Sequence, residues 1–207
     1  MTWFLRNWVD VAQALGEHIA IALTALTIAF ALSLVIGIVA ARRLRLYAAV
    51  MTVSGFLYTI PTLAFLAFLI PVVGLGRTNA IITMVAFSLM ILIRSVATGI
   101  REAPADVIDA ARGMGMNAAQ IMRRIELPLA LPLIFAGLRV SAVTVISVTV
   151  VAAYVNAGGL GTLIFNGIAS DHPAKIWAGA LTACALAVSV DLLLALLERW
   201  LLRQRAG

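Results

Sequence analysis

Residues Ile19–Ala41 read IAIALTALTIAFALSLVIGIVAA, an apolar run without one charged side chain, and Arg42, Arg43 and Arg45 follow it at once. A hydrocarbon layer of about 30 Å takes about 20 helical residues per crossing, so the run is long enough to span and ends at a basic stop. Four further stretches behave alike. Leu46–Val73 is uncharged and interrupted by Gly55, Pro61 and Pro71. Ala80–Ile100 carries only Arg94, which can snorkel toward headgroups. Leu127–Tyr154 holds Arg139, and Ile176–Leu197 holds Asp191 before a second basic stop at Arg199, Arg203 and Arg205. The expected fold is an all-α polytopic membrane protein of five transmembrane helices, at about 19–41, 46–73, 80–100, 127–154 and 176–197.

Composition agrees. Of 207 residues, 63% are hydrophobic and 12% charged, with a mean hydropathy of +1.09, which excludes a soluble globular fold and leaves no length for a separate catalytic domain. The net charge of +6 is not a nucleic-acid footprint, because the basic residues cluster between apolar runs rather than along a solvated face. Cys184 is alone, so neither a disulfide framework nor a cysteine metal site can form within the chain. His18 and His172 stand near span ends outside any ligand spacing and read as interfacial or solvated; no metal site and no catalytic constellation is expected. Residues 1–18, with Trp3, Phe4 and Trp8 among Arg6, Asp10 and Glu17, read as an amphipathic surface segment rather than a cleaved signal peptide.

Basic residues between spans set the orientation. One side receives Arg42, Arg43, Arg45, Arg94, Arg101, Arg112, Arg123, Arg124, Arg199, Arg203 and Arg205; the other receives Arg6, Arg77 and Lys175. The first side is therefore expected in the cytoplasm with the C-terminus, and the N-terminus outside, as an odd number of spans requires.

The cytoplasmic segment 101–128 reads as two short helices joined by a glycine turn. Pro104 suits a first helical position, Asp106 and Asp109 lie early in the helix, Gly113 and Gly115 end it, and Asn117 with Gln120 fits a capping box. Val107, Ile108, Ala111 and Met114 form an apolar stripe at helical spacing, which suits either docking into a groove of a soluble partner or packing against the chain's own spans.

Asp109-Ala110-Ala111, three residues, Gly115, nine residues, then Ile125, Leu127 and Pro128 resembles the EAA loop of binding-protein-dependent ABC import permeases, with Asp109 where the family has Glu. Thr59-Ile60-Pro61, Ile70–Gly76, Ala111–Met116 and Ala157–Gly161 are similar to the osmoprotectant subfamily, which carries glycine betaine, carnitine, choline and proline betaine. The chain departs from that subfamily at Asn156, usually Gly, and at Ser95–Thr98, where an aromatic residue is usual.

The resemblance implies a single permease domain over 1–207, with 101–128 as coupling loop and a coupling helix at about 104–115. Asp109, Ala110, Ala111, Gly113, Gly115, Ile125, Leu127 and Pro128 would couple it to an ABC ATPase dimer. A second permease subunit, identical or not, and an external substrate-binding protein would complete the importer, with ATP and magnesium on the ATPase and no cofactor here. Independently, Lys175 is the sole lysine and lies in an outer loop, so no phosphate-binding G-x-x-x-x-G-K-[ST] loop exists in the chain.

Arg139 and Asp191 lie at matched depths, ~12–14 Å from the cytoplasmic side at about 1.5 Å per residue, and are expected to form a structural ion pair. Tyr58, Phe65, Phe87 and Tyr154 could offer cation–π faces to a quaternary ammonium ion, or serve as packing; Pro61 with Gly55 could bend the second span to shape a route. The Gly158–Gly161 turn could gate the outer side, dock the binding protein or be a tight loop. Competing readings are the same machine with another small polar solute or amino acid as cargo, or an ion channel or structural membrane protein.

Overall fold

A computed structural model describes residues 2–203, all helical apart from short connections; Arg205 of the second basic stop lies outside them. Helix α1 (Thr2–Arg6) precedes α2 (Trp8–Arg42), α3 (Leu44–Thr59), α4 (Thr62–Val73) and α5 (Arg77–Arg101). Then come α6 (Ala105–Gly113), α7 (Ala118–Ile121), α8 (Leu127–Ala152), α9 (Leu160–Ala169) and α10 (Pro173–Arg203). Four helical stretches are long and apolar enough to cross a membrane: α2, α5, residues 118–155 and α10. The pair α3 and α4 makes a fifth if counted as one span, bent by 99°.

The expected boundary at residue 18 is not there. α2 starts at Trp8 and runs unbroken through the first span, and only α1 is separate. Val11, Ala14, His18, Ile21, Ala22 and Ala25 are buried at steps of one to four residues, so the face that packs inside continues past Glu17 without interruption. The 99° bend falls at Pro61, which lacks an N–H and drives Ile60 into extended backbone (φ −71°, ψ 128°). With twelve residues α4 is too short to cross alone. Buried Asn79 secures its far end, its amide donating to Leu66 O (3.1 Å) and Gly74 O (3.0 Å). Between the last two long helices lies α9, a ten-residue, mostly apolar helix folded against α10.

Three helices form the centre. α5 runs parallel to α2 (Arg77 beside Glu17 at one end, Gly37 against Val96 at the other) and antiparallel to α8 (Gly99 against Ala130, Met84 against Thr149). Lipid tails are as apolar as the helix faces, so association in a bilayer depends on close packing of small residues. α2 buries Ala25, Ala29, Ser33 and Gly37 at every fourth position. A Cβ on Gly37 would stand 2.7 Å from the Val96 side chain, and one on Gly99 would stand 2.9 Å from the Ala130 side chain; neither helix could approach so closely with a larger residue there.

Candidate functional site: the helical hairpin at the arginine-rich end

Segment 101–128 forms the expected pair of helices, with its capping geometry visible. α6 begins after Pro104, which caps the helix (φ −59°, ψ 131°) rather than opening it as the first helical residue. At the other end Gly115 takes φ +81°, its N–H donating to Arg112 O (2.9 Å) while Met116 N–H reaches Ala111 O (3.1 Å). These two bonds make a Schellman ending, which satisfies the last carbonyls of α6 and needs a left-handed residue where Gly115 stands. Asn117 and Gln120 exchange side-chain and backbone bonds (2.9 and 2.8 Å), closing the capping box of α7.

The turn between α6 and α7 is therefore capped from within on both sides, while Pro104 at the start of α6 supplies no side-chain cap bond. Asp109 and Ala110 are exposed and Ala111 is buried. Of the apolar stripe, Ile108 is half-buried, while Val107 and Met114 are exposed, Met114 at 75%. Among the described residues Asp109 pairs with Arg112 alone, across 3.2 Å in open solvent, an arrangement that adds little to stability. Ile125, Leu127 and Pro128 are half-buried where the segment enters the bundle, Leu127 packing on the cluster of Val96, Ile100, Ala130 and Ile134.

Between α7 and α8 the helix widens into a π turn, Met122–Glu126, in which Leu127 N–H bonds Met122 O five residues back. Pro128 explains it: the proline has no N–H for Arg124 O, and its ring crowds that carbonyl. Glu126 in this turn is 1% exposed and pairs with Arg42 at the end of α2. Sequence reasoning passed over Glu126, the unspecified position between Ile125 and Leu127; a lone carboxylate at the mouth of an apolar run, with arginines ending another run, was the available signal.

Of the aromatic candidates, Tyr58, Phe65 and Phe87 meet beside the Pro61 bend. Phe87 lies 5.7 Å from the Tyr58 ring and 5.6 Å from that of Phe65, the latter edge to face. Phe65 and Phe87 are buried, so only Tyr58 offers an open face. Tyr154 is elsewhere, 71% exposed and paired with Phe165 at 5.8 Å. Arg139 and Asp191 meet in a two-bond fork, Nε–Oδ1 2.8 Å and Nη2–Oδ2 3.0 Å, with Glu198 3.7 Å from the same guanidinium.

The end opposite the hairpin corrects the reading of His18. The ring is fully buried: its Nε2–H donates to Ile146 O (3.1 Å) and its Nδ1 accepts from Leu160 N–H (3.3 Å). Gly159 N–H donates to Glu17 Oε2 (3.1 Å), and Glu17 also faces Arg77 at 3.4 Å. Two orphan N–H groups at the start of α9 are thus capped by α2. A Cβ on Gly158 would stand 2.7 Å from Glu17 Oε2, so the glycine turn is shaped to that contact. His172 is half-buried and rests on Trp3 at 5.8 Å. His18→Leu fills a similar volume but strands the Leu160 N–H, and is expected to cost about 1–3 kcal/mol, read as a lower melting temperature in detergent. Glu17→Gln, which still accepts from Gly159, should cost less.

Residues 33–203 match the family described as binding-protein-dependent transport system inner membrane component. The chain is 39% identical over 200 residues to the choline transport system permease protein OpuBD of Bacillus subtilis, covering 96% of this chain and 88% of that protein. It is 33% identical over 199 residues to the glycine betaine/carnitine/choline transport system permease protein OpuCB of the same organism (96% and 92% covered). To the osmoprotectant import permease protein OsmW of Salmonella typhimurium it is 33% identical over 197 residues (93% and 92%). Its fold matches a chain of the MetNI methionine ABC transporter in an inward facing conformation, with a TM-score of 0.84, 20% identity, and 97% and 99% of the two chains covered. The class is that of multi-pass transport components of the bacterial inner membrane. The chain belongs to the inner-membrane components of binding-protein-dependent transport systems.

Proposed function

We propose that this chain is the permease subunit of an ABC importer for quaternary-ammonium osmoprotectants such as choline, glycine betaine, carnitine and proline betaine. The observation that carries this reading is the near full-length similarity to permeases named for those solutes, joined to the hairpin that bears the coupling motif. The arginine-rich end faces the cytoplasm, and 101–128 is the coupling loop of one permease domain over 1–207. A dimer of ABC ATPases binds there and holds the ATP and magnesium; a second permease subunit and an external binding protein complete the assembly.

The hairpin suits this task. The caps of its turn are internal, so α6 moves as one piece, and its open apolar positions, Val107 and Met114, are free to seat in a groove. Asp109, with its weak solvent pair, is available to a partner's cation. ATP-driven closure of the ATPases would tilt the spans through this helix and alternate access across the membrane. Tyr58, backed by buried Phe65 and Phe87 at the Pro61 bend, is the aromatic face best placed to meet a quaternary ammonium group, which has no N–H to donate. Arg139 and Asp191 fix α8 to α10 and are structural in this scheme.

The test is uptake of labelled choline and glycine betaine into vesicles holding the whole assembly, binding protein included. ATP-dependent uptake displaced by other quaternary ammonium solutes is expected. Displacement by amino acids with no effect of betaines would move the cargo elsewhere, and ATP-independent leak would point to a channel.

A further inference from the structure

The π turn and its carboxylate have no place in the scheme so far. Along the buried face of this stretch the order is Ile121, Glu126, Ala130, Ile134. The steps are five, four and four: the π turn advances the helix by one position, and this turns Glu126 into the bundle while Arg123 and Arg124 stay exposed. A plain α-helix would carry residue 122 on that face, four before Glu126. Inside, Glu126 meets Arg42, the last residue of α2, after which the backbone turns sharply at Arg43 (φ −130°, ψ 96°). Glu126 is 1% exposed while the Arg42 side chain is 45% exposed, so removing Arg42 leaves a buried carboxylate without this partner, whereas removing Glu126 leaves a half-open guanidinium.

Resting on the coupling reading above, we propose that Glu126 and Arg42 are positioning residues forming a strut that carries displacement of the coupling loop to α2. α6 is tied to α5 by residues 102–104 and packs on α7, which runs straight into the π turn. From that turn one route leads up α8, through Pro128, a second passes to α5, which packs on the turn, and a third crosses the ion pair to α2. A π turn flanked by a proline lacks the full α ladder, so without the pair it can absorb a push instead of passing it on. With the pair in place, α2 and α8 tilt together.

The test uses the whole importer in vesicles, scoring choline molecules taken up per ATP hydrolysed by assembled copies. Glu126→Gln and Arg42→Gln are expected to lower that ratio by about tenfold, and the exchange Arg42→Glu with Glu126→Arg to recover about half of it or more. If the Gln variants fail to reach the membrane, Glu126→Asp and Arg42→Lys, which keep the charges and change the reach, are scored in their place. A wild-type ratio in assembled copies of these variants, or an exchange as poor as its parents, overturns the strut. A wild-type chain that retains no ATPase at all overturns the coupling reading instead, so the two failures are distinguishable.

Discussion

Gly115→Val is expected to leave the protein inserted in the membrane at its normal level and to strip it of its ATPase on purification. The backbone at 115 has φ +81°, where a β-branched residue is strongly disfavoured, and nothing lies within 4 Å of the added Cβ. The penalty is therefore conformational and local. Escaping it means giving up the Gly115–Arg112 and Met116–Ala111 bonds that end α6. Left-handed strain and two exchanged hydrogen bonds together amount to roughly 2–4 kcal/mol. Apparent affinity scales with the population of the docking-competent bend, so ATPase binding should weaken from about thirtyfold to several hundredfold. Gly113→Ala is the informative comparison. Gly113 is helical, with no positive φ and open space around it, so any uptake it loses reports contact with the partner rather than the bend.

The second large effect is expected at the fork of Arg139 and Asp191. Asp191→Ala leaves Arg139 facing only Glu198 at 3.7 Å, and Arg139→Ala leaves Asp191 and Glu198 without that cation, so folded protein should fall to about a tenth of the normal amount. Exchanging the two residues restores opposite charges at the same two positions and should return most of the lost protein, read as the monodisperse fraction after detergent extraction. Recovery no better than the single changes would count against a structural pair. Glu198→Gln should matter less, because its 3.7 Å approach to Arg139 makes no hydrogen bond in the fork.

Four of the crossings could be found in the chain because uncharged runs such as 19–41 have no alternative use in a protein this apolar, whereas 46–73, equally uncharged, breaks at Pro61 into two helices. The hairpin was equally open to reading: Gly115, Asn117 and Gln120 act through bonds spanning at most five residues, so their spacing is their geometry. What stayed hidden depended on residues far apart. His18 looked interfacial beside Glu17, but its acceptors and donors sit at Ile146 and Leu160 on other helices. Glu126 needed both Arg42, 84 positions away, and a π turn that no periodicity of 3.6 anticipates. α9 is not evident from the chain alone, because glycines lead into it and Asn166 interrupts its apolar run, while the caps that stabilise its start are lent by α2.

That lending sets an order of events during biosynthesis. Glu17 and His18 leave the ribosome 142 residues before the backbone groups they receive. By the time the glycine turn emerges, α2 has been threaded and waits as a receptor. The closing third of the polypeptide thus anneals onto a template laid down by the opening one, and a hybrid assembled from two relatives would have to inherit both halves of that contact from a single parent.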